Sequence, residues 1–131
     1  MKIALTVWEE KISPVFDSSS TLMIVEIDSN QILNRHIEFF DPGHPLLLAE
    51  QLKKMGISLL ICGAISEFPC KILEMGQLVI VPFIAGEIEE ILSVMEEGLS
   101  IVPKFLMPGC RRNTCKKYQK KLNNKKEVYN E

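Results

Sequence analysis

Apolar residues in this chain fall into short runs separated by turn-forming clusters, and three stretches show helical spacing. Residues 2–8 are rich in Ile, Leu and Val and read as a buried first strand. Ser13-Pro14 and Asp17-Ser18-Ser19-Ser20 then mark a loop over residues 9–20. Residues 21–27 are a second β-rich run, closed by Asp28-Ser29-Asn30. Residues 31–40 are a third, with Ile32, Ile37 and Phe39 as apolar members, and the short polar connector predicts a hairpin.

Beyond Asp41-Pro42-Gly43 the pattern changes period. Leu47, Leu48, Leu52 and Met55 fall at helical spacing, and Gly56 stands where a helix ends, which predicts a helix over residues 44–55. A continuous apolar strand follows at 57–62, then a helical stretch through Phe68, Ile72, Leu73 and Met75, then a strand at 78–82. Gly86 opens a last helix with Ile88, Ile91, Leu92 and Met95 on one face and Glu87, Glu89, Glu90 and Glu96 on the others, ending before Gly98. Acidic residues at its start suit the helix dipole.

Strand-helix-strand units need parallel pairing, whereas the opening hairpin is antiparallel, so the sheet is mixed. The predicted fold is α/β, with a mixed five-stranded sheet flanked by helices in the order β-β-β-α-β-α-β-α of a ribonuclease H-like arrangement. In open α/β sheets ligands bind beyond the carboxyl ends of the strands. By that rule three loops converge on one site: 8–20, 62–66 and 82–86.

Composition narrows the class. The 131 residues, 47% of them hydrophobic, suffice for one core without disulfides. No run approaches the roughly 20 apolar residues of a membrane span. Glu9 and Glu10 interrupt the N-terminal apolar run before it resembles a secretory signal. Four cysteines in such a chain point to a reducing compartment, so a cytoplasmic protein is expected.

The net charge of −2 hides a division: residues 1–103 carry 15 acidic and 6 basic side chains, whereas residues 104–126 carry 9 basic and no acidic ones. This sets a basic C-terminal tail, 111–131, apart from a body spanning 1–110. Such a tail could contact an acidic partner, nucleic acid or the acidic body itself. Tyr118 is its only aromatic before residue 127, so it lacks the stacking platforms of single-strand binders.

Catalytic signatures are absent. A ribonuclease H-like nuclease needs carboxylates on its central strands to hold two metal ions about 4 Å apart, and neither 2–8 nor 57–62 contains one. There is no P-loop, dinucleotide fingerprint, His-Glu-x-x-His or Gly-x-Ser-x-Gly. Ser13, Asp17 and Ser66 would line the cleft, but no general base accompanies them. The serines at 18–20 could offer hydroxyls to an anion, although such runs are commonly plain loop.

The thiols remain. Cys62 ends a predicted strand on the ligand side and reads equally well as a ligand or a small buried hydrophobe, whereas Cys70 reads as core. Cys110 and Cys115 sit among Arg111, Arg112, Lys116 and Lys117, which favour the thiolate, a soft ligand for iron-sulfur, copper(I) or zinc centres. His36 and His44 read as surface or capping residues.

Three stretches together resemble one family: Ile12-Ser13-Pro14-Val15-Phe16-Asp17-Ser18, Leu60-Ile61-Cys62-Gly63-Ala64-Ile65-Ser66, and the run from Val81-Pro82-Phe83-Ile84-Ala85-Gly86 to Leu92. With the helix after Pro45 and a closing Met107-Pro108-Gly109-Cys110, the chain resembles the dinitrogenase iron-molybdenum cofactor biosynthesis family of the NifX type over residues 1–110. It is similar to stand-alone members, with Val15-Phe16-Asp17 where nitrogen-fixing members often carry His-Phe-Gly.

The resemblance implies a ribonuclease H-like domain that is not an enzyme. It would carry iron-sulfur or iron-molybdenum cofactor precursors between assembly proteins. Ser13, Phe16, Asp17, Gly63, Ser66 and Gly86 are the expected cofactor-binding positions, and Cys110, Cys62 and Cys115 the expected metal ligands. The expected partner is a metallocluster assembly or acceptor protein, and a homodimer could share one cluster because a single chain has few thiols. The alternative is a non-enzymatic adaptor acting through the basic tail.

Overall fold

The computed structural model describes residues 1–108. β1 (Lys2–Trp8) runs through the middle of the sheet, and its apolar residues serve both faces. Ile3 and Leu5 point into a cluster with Leu59, Ile61, Val81, Ile91 and Leu92. Ala4 points into a second cluster with Phe16, Leu48, Leu52, Leu60 and Leu73. The two-residue side-chain period of a strand thus divides one apolar run between two cores.

β3 (Thr21–Asp28) pairs antiparallel with β1 and with β4 (Gln31–Phe39). Ser29 and Asn30 both adopt positive φ, 51° and 63°, as a tight two-residue hairpin turn demands. β5 (Ile57–Ile61) lies parallel to β1 on its other side, and β6 (Val79–Val81) parallel to β5. The sheet order is β4-β3-β1-β5-β6.

The predicted five strands form this path, but the described residues contain a sixth. β2 (Lys11–Ile12) pairs antiparallel with the end of β1, Val7 opposite Ile12 and Trp8 opposite Lys11. Residues 9–20 are therefore not plain loop. Glu9 turns the chain at φ 59°, and two residues are too few for an apolar period to show in sequence.

The helices fall close to expectation. α1 (Pro45–Lys54) starts with Pro at its first position, where a missing N–H costs nothing, and Gly56 follows it at φ 74°. α2 (Glu67–Glu74) and α1 bury Leu48, Leu52, Cys70 and Leu73 against one face of the sheet. α3 (Ile88–Glu96) buries Ile88, Ile91, Leu92 and Val94 against the other. No helix among the described residues is long and apolar enough to cross a membrane.

Candidate functional site at the carboxyl ends of β1, β5 and β6

The three loops expected to converge are joined by backbone hydrogen bonds. Phe16 N donates to Ala64 O (2.7 Å) and Ala64 N to Pro14 O (2.9 Å), tying the loop after β2 to the loop after β5. Phe83 N donates to Gly63 O (2.9 Å) and Ile84 N to Cys62 O (3.0 Å), tying in the loop after β6. Ile12 N donates to Gly86 O (3.0 Å), closing the ring. Adjacent loops paired in this way form a continuation of the sheet rather than a mobile rim.

Gly63 makes the closest approach possible. A Cβ at this position would overlap the carbonyl oxygens of Ser13 and Pro14, so only glycine lets the two loops meet. Gly86 adopts φ 141°, and a Cβ there would lie 3.0 Å from the Phe105 ring. Both predicted glycines thus shape the site through backbone geometry.

Asp17 and Ser66 are brought together. Asp17 Oδ1 accepts from Ser66 Oγ (2.6 Å) and Asp17 Oδ2 from Ser66 N (3.2 Å), so a side chain from the first loop closes the entry to α2. Ser66 is the residue preceding that helix and makes no side-chain capping bond of its own. The carboxylate also lies near the positive end of the α2 dipole. Asp17→Ala is expected to cost about 1 kcal/mol, the usual loss for a capping interaction, measurable by urea denaturation.

Ser13 and Phe16 face inward. Ser19 Oγ donates to Ser13 Oγ (2.7 Å), and both serines are buried. Phe16 is fully buried, with its ring centroid 5.5 Å from that of Phe40. These two expected binding positions hold the loop in place, while Pro14, Val15, Asp17 and Ser18 form its exposed surface.

Phe83 is a feature sequence reasoning missed. Its φ of 63° is left-handed, uncommon for a bulky residue. Two backbone hydrogen bonds hold it there: its N–H donates to Gly63, and its carbonyl accepts from Met107 N at 2.7 Å. The strain sits where the three loops and the chain leading towards Cys110 meet. Thr6 was also missed: its Oγ1 is buried near the end of β1 and has no hydrogen-bond partner among the described residues.

Cys62 is fully buried in the core beneath α1 and α2. Burial pushes its thiol up from the ordinary range, with smaller contributions from Cys70 and Asp17. The side chain is thus a neutral hydrophobe at physiological pH, the second of its two sequence readings. Its folded pKa is raised, so it favours the native state below the ordinary thiol range and this contribution is lost as pH climbs through the raised value. Native Cys62 is expected to resist iodoacetamide at pH 8 and to react once the chain is unfolded, as mass spectrometry of alkylated peptides would show.

Cys70 is buried as expected, and its thiol contacts Glu74 Oε1 at 3.3 Å. His36 lies 3.2 Å from Glu38, and His44 precedes α1 with Asp41 at 3.5 Å. Among the described residues no three His, Cys, Asp or Glu side chains gather to hold a metal ion. Cys110, Cys115 and the tail 111–131 lie outside the described residues.

The sequence profile described as dinitrogenase iron-molybdenum cofactor matches residues 1–98. The chain belongs to this family. It is similar in structure to PH0822, with a TM-score of 0.67 and 16% identity over 76% of this chain and 91% of that one. It is also similar to MJ0327 of Methanococcus jannaschii, a candidate dinitrogenase: the NMR structure gives a TM-score of 0.62 and 22% identity, covering 85% of this chain and 95% of that one. The crystal structure of MJ0327 gives 0.60 and 26%, covering 75% and 89%. No curated protein matches. The family match covers all three joined loops, so the convergent site belongs to the shared domain.

Proposed function

We propose that this chain binds a metal cluster, an iron-sulfur or iron-molybdenum cofactor precursor, and passes it to an assembly or acceptor protein without catalysing a reaction. The family association with iron-molybdenum cofactor supports a role in its assembly. The strand order β4-β3-β1-β5-β6 supports a ribonuclease H-like scaffold, and its central strands β1 and β5 carry no carboxylate that could serve a nuclease.

The single observation carrying the reading is the hydrogen bond from Met107 N to Phe83 O. It ties the chain to the three-loop site three residues before Cys110, a stretch that reaches at most about 10 Å. Cys110, which lies outside the described residues, is the thiolate this reading assigns to the site. The described residues do not by themselves supply a thiolate set, so Cys110 and Cys115 are the ligands, completed by the partner during hand-over. Such thiolates stay reduced in a cytoplasm.

Transfer tests this reading. The chain, loaded anaerobically with iron and sulfide, is mixed with an apo-ferredoxin and the two proteins are separated. Iron moving to the acceptor supports carriage, and iron remaining on the chain contradicts it.

A further inference from the structure

β4 ends the sheet, and among the described residues it has one strand neighbour, β3. Phe40 N donates to Ser20 O at 3.0 Å, so Phe40 directs its backbone groups towards β3. By the alternation of antiparallel pairing, Phe39, Ile37 and Arg35 direct theirs to the open edge. One of these groups, Phe39 O, receives a long contact from the Gln51 side chain at 3.5 Å.

Natural edge strands are blunted with charges, bulges or cover to prevent pairing. β4 has a bulge at its start, where the register shifts between Glu26 and Ile27 and leaves Leu33 extra. Residues 35–39 beyond it pair regularly with β3. There Ile37 and Phe39 are exposed, Phe39 by 73%. A regular segment that exposes apolar residues along a free backbone edge is suited to strand addition.

We propose that two copies of the chain pair antiparallel through their β4 edges, with Ile37 of each copy opposite Ile37 of the other. The segment Arg35-His36-Ile37-Glu38-Phe39 is complementary to its own reverse. In this register His36 faces the second copy's Glu38, and Glu38 its His36, which places opposite charges across the junction when histidine is protonated and a hydrogen bond when it is neutral. Arg35 faces Phe39, whose ring accepts the guanidinium or its alkyl stem.

Arg35 keeps its ion pair with Glu89 of α3, 2.6 Å long, because that contact lies on the sheet face and not along the edge. All three outward residues are paired: Ile37 with Ile37, and Arg35 with Phe39 twice. The Arg35 N–H of the second copy replaces Gln51 as donor to Phe39 O. Registers centred one residue away oppose His36 to His36 or Glu38 to Glu38, and the two like charges of the latter disfavour it. Only five residues per copy pair along the edge, so the dimer is weak and concentration-dependent.

Sedimentation velocity of the full chain over a concentration series tests this, with circular dichroism confirming the fold of each variant. The wild type is expected to shift from monomer to dimer as concentration rises. Ile37→Lys places two like charges at the centre and should weaken the dimer about tenfold or more. Leu33→Lys, on the same strand but outside the paired segment, should leave it unchanged. His36→Glu should weaken the dimer, and the double variant His36→Glu with Glu38→His should restore it. If Ile37→Lys fails to fold, this exchange decides the outcome. A monomer at every concentration, a dimer indifferent to the charge exchange, or an equal loss in Leu33→Lys would overturn the proposal.

Discussion

Gly63→Ala is expected to destabilise the chain by about 3 kcal/mol or more, at the upper end of overpacking effects. The added methyl would meet the carbonyl oxygens of Ser13 and Pro14, which are backbone atoms and cannot rotate away as a flexible side chain would. Both belong to the loop whose neighbouring residues exchange hydrogen bonds with Ala64. Relief requires the loop to separate from β5, breaking the bonds from Phe16 N to Ala64 O and from Ala64 N to Pro14 O. Urea denaturation should show a lower midpoint, and hydrogen exchange should show faster exchange at the Phe16 and Ala64 amides. Unchanged exchange at both amides would contradict the account of the close approach.

Phe16→Ala should cost about 3–5 kcal/mol, the usual range for truncating a buried aromatic ring. Phe16 is fully buried against Phe40 and contributes to the core cluster shared by α1 and α2. Its backbone also anchors the turn Phe16–Ser18, since Ser19 N donates to Phe16 O at 2.9 Å. The cavity left behind therefore loosens the segment that carries Asp17 to Ser66. Phe16→Leu, which keeps much of the volume, is expected to recover most of the stability. Chemical denaturation of the two variants together separates lost packing from a requirement for the aromatic ring.

Much of this architecture was legible because long periodic segments declare themselves. The β-rich run at β3, bounded by turn residues, and the helical spacing in α1 and α3 gave element types correctly, with ends differing by a few residues. Ends are set by hydrogen bonding, as where Glu87 rather than Gly86 precedes the first turn of α3. The convergence of three loops followed from the rule for strand carboxyl ends. β2 escaped notice because a two-residue strand has no period.

The individual site residues were less legible. Ser13 and Phe16 lie in the correct loop, but sequence cannot tell that they point inward while Asp17 points out. Phe83 gave no signal because left-handed backbone is expected at Gly or Asn, and here neighbouring loops impose it on a phenylalanine. Cys62 had two sequence readings, and burial decides for a neutral core thiol. The two exposed groups that meet across loops, Asp17 and Ser66, were both named from sequence, yet their contact depends on the path of the chain between β2 and β3.

Iron and sulfide analysis after anaerobic reconstitution of the wild type, Cys62→Ser and Cys110→Ser tests the central claim most directly. The account predicts stoichiometric iron with charge-transfer absorption in the wild type, the same iron in Cys62→Ser because that thiol is buried and protonated, and loss in Cys110→Ser. A wild type that binds no iron, or a Cys110→Ser variant that retains it in full, would contradict the claim.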